Sequence, residues 1–103
     1  MPQWLRLCST ADLPAEGEVR ELAMGERLYC AAMVEGRLTV TDNECPHRGG
    51  PLGQGLIEQG RVICPWHAWA FDLRTGCALH NAKACIHIYP TRIEGEDVLI
   101  ESR

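Results

Sequence analysis

The sequence predicts an all-β fold built from antiparallel hairpins. Three observations predict it. Ten Gly and six Pro punctuate the 103 residues every few positions. The segments between them are short and rich in Val, Ile, Leu, Thr and Tyr, the residues that favour a pleated, half-buried surface. Helical periodicity is never sustained beyond a turn or two.

Each element follows from its local pattern. Residues 4–8 give the first strand, and Thr10 to Leu13 allow one short helical turn before Pro14 limits it. Residues 18–24 and 26–34 read as two strands, with Gly25 as the turn between them. Glu35-Gly36-Arg37 turns the chain into a β-rich run at 38–41. Residues 56–58 and 61–64 flank Gln59-Gly60, a hairpin signal. Residues 70–73 lead into the turn Arg74-Thr75-Gly76. Residues 86–93 and 98–101 flank Glu94-Gly95-Glu96, a C-terminal hairpin in which Ile86 and Ile88 alternate with His87. Two loops interrupt this pattern, 43–55 with four Gly and two Pro, and 64–69. A hairpin separates them, so the fold should bring them side by side.

Size and charge bound the function. One domain over 1–103 is the natural reading, and at this size folding buries only about two thirds of the unfolded surface. The core is modest, and a bound group would help to hold it. With 10 basic and 14 acidic side chains the net charge is −4, which argues against a nucleic-acid binder. No segment reaches the roughly 18–20 apolar residues of a membrane span, and Arg6, Asp12 and Glu16 interrupt any signal-peptide core. The expected location is the cytoplasm. Six Cys in a reducing compartment, with His nearby, read better as a metal site than as a disulfide framework. The aromatic residues are few, yet Trp66, Trp69 and Phe71 crowd into one stretch.

The first loop carries Cys45-Pro46-His47 and the second Cys64-Pro65-Trp66-His67, so C-x-H precedes C-x-x-H by sixteen residues. Two soft thiolates and two imidazoles on adjacent loops fit zinc or iron. A zinc knuckle usually spaces its paired ligands by two to four residues, because both must reach one ion. The single residue between Cys45 and His47 suits a cluster better, with the two residues of each loop serving different irons.

This pattern resembles the Rieske-type [2Fe–2S] family. The resemblance extends to Gly49-Gly50-Pro51-Leu52, to Ala70-Phe71-Asp72-Leu73-Arg74-Thr75-Gly76 and to Tyr89-Pro90. It implies a Rieske fold of stacked antiparallel sheets, with a cluster-binding subdomain of about 43–72. It implies one [2Fe–2S] cluster, with Cys45 and Cys64 as ligands of one iron and His47 and His67 as ligands of the other. Neutral imidazoles leave such a centre easier to reduce, at roughly −150 to +300 mV against about −400 mV for plant-type ferredoxins. High-potential members carry a disulfide between the loops and a Ser and a Tyr whose hydroxyls bond to cluster sulfurs. The matching positions here are Gly50, Trp66, Trp69 and Phe71, so the resemblance implies a low potential. The residue after His67, usually Gly in the family, is Ala68, where a Cβ needs φ < 0 or mild strain.

The implied function is a soluble ferredoxin that takes single electrons from a flavin-dependent NAD(P)H reductase and passes them to a terminal oxygenase, with no catalysis of its own. The alternatives are a small subunit partnering the large subunit of an NAD(P)H nitrite reductase, and a structural zinc module. Cys8, Cys30, Cys77 and Cys85 lie outside the ligand pattern and are expected as core or incidental thiols; a Cys77–Cys85 disulfide is disfavoured in a reducing cytoplasm. His80 and His87 are expected as ordinary surface or boundary residues. Leu52 and Trp66 are candidates for loop packing or an apolar docking patch, and Arg48 for a solvated charge or a docking contact.

Overall fold

The strands predicted up to residue 73 all form, each within a residue or so of its expected ends. A computed structural model describes residues 3–66 and 68–101. The strands are β1 (Trp4–Ser9), β2 (Val19–Met24), β3 (Arg27–Val34), β4 (Arg37–Asp42), β5 (Leu56–Glu58), β6 (Arg61–Ile63) and β7 (Ala70–Asp72). They continue with β8 (Ile88–Tyr89), β9 (Thr91–Glu94) and β10 (Asp97–Glu101). The short turn after β1 is a 3₁₀ turn, Thr10–Asp12, closed by a capping box. Ala11 N–H donates to Ser9 Oγ and Ser9 N–H donates to Asp12 Oδ2, both at 3.2 Å.

Three antiparallel sheets result, ordered β1-β10-β9, β2-β3-β4-β8 and β5-β6-β7. The four-stranded sheet lies in the middle, and β3 shows why. Tyr29 and Ala31 pack on one side with Leu7, Val98 and Ile100, while Cys30 and Ala32 pack on the other with Leu52, Val62 and Phe71. A strand covered on both faces needs apolar residues without alternation, and the run from Leu28 to Val34 supplies them. The fold therefore has two apolar layers, one on each side of this sheet. The second layer seats the small sheet and both loops.

Two predictions about elements need correction. The single strand expected over 86–93 is two strands split at Pro90. Proline offers no N–H to a ladder, and the chain changes sheets there: Ile88 and Tyr89 pair with β4, whereas Thr91 begins the pairing with β10. Ile86 precedes both strands and donates its N–H to Gly76 O at 2.7 Å. The loop 43–55 also contains an unforeseen 3₁₀ turn, Leu52–Gln54, in which Leu52 is fully buried. Leu52 is thus a core residue and no part of a docking surface.

The hairpin joining the loops follows its sequence signal. Glu58 pairs with Arg61, leaving a two-residue turn of Gln59 and Gly60 at φ 52° and 75°. Two consecutive positive φ values match the right-handed twist of the flanking strands.

Candidate iron–sulfur site

The first loop is fastened at its base before it presents any side chain. Asn43 is buried, and its backbone carbonyl accepts from Leu52 N–H at 2.7 Å. Its side-chain oxygen accepts from Gly53 N–H at 2.7 Å, and its amide nitrogen donates to Glu21 Oε2 at 2.6 Å. Gln54 Nε2 donates to the other Glu21 oxygen at 3.0 Å, so β2 is tied to both ends of the loop. Within it, Cys45 N–H donates to Gly50 O at 2.9 Å and Gly49 N–H donates to Cys45 O at 2.7 Å. These bonds close the turn that carries Cys45 and His47. Sequence reading takes Glu21, with Glu16 and Glu18, as part of a solvated acidic face and gives Asn43 no role of its own; nothing local marks either side chain as a fastener of the loop.

The second loop closes on itself. Cys64 N–H donates to Trp69 O at 2.8 Å, while Trp66 N–H donates to Cys64 Sγ at 3.4 Å. Ala68 takes φ 56°, so the position that is usually Gly keeps its left-handed conformation despite the Cβ. His67 lies outside the described residues.

The two loops meet as expected. A Cβ added to Gly50 would sit 2.6 Å from Cys64 Sγ and 3.1 Å from Trp66 Cγ, so glycine is what allows the loops to approach. Cys45 and Cys64 are both buried, each with 2% of its surface exposed. Burial pushes the Cys64 thiol up, the N–H of Trp66 draws it down, and the neighbouring Cys45 raises it again. Burial therefore favours the protonated form of Cys64 until a cation displaces the proton. His47 Nδ1 is shielded from solvent on the same loop. Paired thiols, a shielded imidazole nitrogen and a glycine-lined cradle together suit an iron–sulfur cluster. Among the described residues, no three His, Cys, Asp or Glu side chains are grouped to hold a single metal ion.

Aromatic rings wall the site. Trp69 stacks on His47 at 4.2 Å between centroids and 11° between planes. Phe71, fully buried, lies 6.4 Å from Trp69 and joins it to the core. His80 meets Trp69 nearly at right angles, at 4.3 Å. His80 is exposed, as expected, but it belongs to this wall rather than to an ordinary surface. Arg48 is exposed, and Trp66 is half exposed at the rim.

The remaining cysteines divide. Cys8 and Cys30 are free and buried, as expected. Cys77 and Cys85 form a disulfide, against expectation. They lie opposite one another as an antiparallel bridge with Cα atoms 3.9 Å apart, so local geometry brings the sulfurs together whatever compartment composition suggests.

The geometry agrees with comparison to known proteins. Residues 3–90 match the Rieske [2Fe–2S] domain family. The chain is 33% identical over 99 residues to the ferredoxin component of the alkene monooxygenase system of Xanthobacter autotrophicus, covering 95% of this chain and 80% of that protein. It is 32% identical over 100 residues to the ferredoxin component of the naphthalene 1,2-dioxygenase system of Pseudomonas aeruginosa, covering 96% and 95%. The solved ferredoxin of Sphingomonas yanoikuyae B1 superposes with a TM-score of 0.85 at 31% identity, over 98% of this chain and all of that one. Some other matches are longer proteins, of whose length the chain covers 16%.

Proposed function

Since the chain belongs to the Rieske [2Fe–2S] domain family, whose cluster supplies one-electron redox chemistry, we propose that it is the ferredoxin of an oxygenase system. In this reading it takes one electron from a flavin-dependent NAD(P)H reductase and delivers it to a terminal oxygenase, where the substrate chemistry occurs. Residues 1–103 act as one domain, with 43–72 as its cluster-binding part. Cys45 and Cys64 hold one iron as thiolates, and His47 and His67 hold the other as imidazoles.

The observation that carries the reading is the meeting of the two loops at Gly50, with both thiols buried and His47 shielded beside them. Each residue has a definable task. Trp66 N–H bonds to Cys64 Sγ and stabilises negative charge on that sulfur. Trp69 and Phe71 pack around the site without offering a hydroxyl, which leaves the reduced, more negative state less stabilised and supports a potential near the bottom of the Rieske range. The half-exposed Trp66 and the exposed Arg48 stand at the rim, where an oxygenase would dock.

Spectra and turnover test this reading in sequence. The purified protein should be red-brown and give a low-average-g EPR signal when reduced, and Cys45→Ser or His67→Ala should abolish both. A colourless protein with about one zinc per chain would identify a structural zinc module instead. Mixed with an NADH-dependent flavoprotein reductase and a ring-hydroxylating or alkene oxygenase, it should cycle between oxidised and reduced forms while product accumulates. Stable co-purification with a sirohaem protein, and reduction only within that complex, would point to the nitrite reductase subunit. A redox titration should place the midpoint well below zero.

A further inference from the structure

We infer that His80, held in place by the Cys77–Cys85 disulfide loop, is a positioning residue that keeps the His47 ring in its working orientation through Trp69. The inference rests on reading His47 as an iron ligand, and goes beyond it by assigning a task to a loop outside the ligand pattern.

The loop is built to hold its tip still. After β7 the chain runs out through 76–80 and returns through 84–86. The two arms are joined by Ile86 N–H to Gly76 O at 2.7 Å and Ala78 N–H to Ala84 O at 2.8 Å. The Cys77–Cys85 disulfide links them covalently between those bonds. Leu79 N–H donates to Ala70 O at 3.0 Å, which anchors the residue before His80 directly beside Trp69. The far turn is fixed by Ala84 N–H to Asn81 O at 3.0 Å and Lys83 N–H to Asn81 Oδ1 at 3.1 Å. His80 thus sits between two fixed points, although its side chain is exposed.

A chain of rings follows. His80 meets Trp69 at 82°, and Trp69 lies nearly parallel to His47. Near-perpendicular and stacked arrangements are both favoured contacts of aromatic faces and edges. Trp69 is only partly buried, and its contact with Phe71 is wide and tilted. His80 completes its confinement. A confined indole restricts rotation of the imidazole stacked on it, and a ligand ring that cannot turn leaves its metal more slowly and rearranges less when the electron arrives. Neither Trp69 nor His80 needs to touch iron for this.

The test compares His80→Ala, His80→Phe and the double variant Cys77→Ser/Cys85→Ser in the cluster-loaded protein. One readout is the rate at which an iron chelator bleaches the visible spectrum. The other is the pair of ¹⁴N hyperfine couplings of the histidine ligands in pulsed EPR, which report ring orientation. His80→Ala should speed cluster loss by about two- to tenfold, the factor an aromatic contact is worth, and should shift one of the two couplings. His80→Phe, which keeps a ring but cannot titrate, should restore both. The double variant retains every ring but releases the loop that holds His80, and should behave like His80→Ala. The inference is overturned if His80→Ala matches the parent in both readouts or if His80→Phe fails to rescue. It is equally overturned if cluster loss accelerates with both couplings unmoved, since that is a merely structural role. His47→Ala separates the two levels. If it bleaches the protein while His80→Ala is silent, only the positioning role falls; if it keeps the native spectrum, the ligand reading falls first.

Discussion

Ala68 and Asn43 do opposite things to stability at the same site. Ala68 holds φ 56°, a conformation in which Cβ crowds the backbone at a cost of roughly 1 kcal/mol. Ala68→Gly should therefore stabilise the fold by about 0.5 kcal/mol once the greater freedom of glycine in the unfolded chain is counted, seen as a higher denaturant midpoint with an unchanged m-value. An unchanged or lower midpoint would mean that the turn has relaxed around alanine. Asn43 works in the other direction. Replacing it with Ala leaves the buried N–H of Gly53 without its acceptor and Glu21 Oε2 without the Asn43 donor, while Gln54 still holds the other Glu21 oxygen. The expected loss is about 1–3 kcal/mol, visible in thermal unfolding. The difference in legibility between such residues is physical. The pattern of Cys45, His47, Cys64 and His67, the proposed ligand set, can be read because metal chemistry restricts ligands to a few residue types at fixed spacings. Asn43, Glu21 and His80 escape such reading because their partners, in β2, in the 3₁₀ turn and at Trp69, lie ten to thirty-three residues away along the chain, and only the fold brings them near.

At the scale of elements, the strands were legible where a turn signal bounded them, and illegible where tertiary pairing decided. Gln59-Gly60 fixes a hairpin by local backbone preference alone. The division of 86–93 depends instead on which sheet each half joins, and Pro90 marks the change without announcing its direction. The junction at β8 is tied down by chemistry that titrates. Tyr89 donates its hydroxyl proton to Asp42 Oδ1 at 2.7 Å, and Arg27 Nη2 donates to the same hydroxyl at 3.3 Å. Burial, reinforced by Asp42, pushes the Tyr89 phenol up to about 12. Burial likewise pushes the Cys30 thiol in β3 up to about 12. Both groups lose their protons earlier in the unfolded chain, near 10 and 8.5 respectively. Between those values and about 12 the folded state binds more protons than the unfolded state, so stability is fully present below the unfolded values and falls as pH rises. From Cys30 the slope approaches about 1.4 kcal/mol per pH unit, and Tyr89 adds to it only above its unfolded value of about 10. Denaturant unfolding between pH 8 and 11 should show this decline, and Cys30→Ala should flatten it above pH 9; a flat parent profile would contradict the assignment.

For the whole molecule, the decisive property is that its two apolar layers are unequally supported. The layer between β1-β10-β9 and the central sheet is closed by long strands, with six-residue β1 paired along five-residue β10. The other layer seats a sheet whose strands have three residues each, together with the two loops, and it relies on Phe71, Leu52 and Val62 for its filling. Strands that short are marginal without support from elsewhere. The disulfide at 77–85 supplies one constraint, and the cluster is expected to supply the larger one, by tying loop 43–55 to loop 64–69. A group that binds only the folded state stabilises it by mass action, but here the gain should be local before it is global. Removing iron with a chelator under anaerobic conditions should lower the unfolding temperature, and hydrogen exchange should locate the loss. Amides of β5, β6 and β7, with Cys45 and Cys64, should lose protection first, while those of β2, β3 and β4 stay protected until global unfolding. Uniform loss across all three sheets would mean that the molecule opens as one unit and that the cluster staples the whole fold. Unchanged protection at β5–β7 would mean that apolar packing alone orders the small sheet, and that the loops are preformed for their cargo.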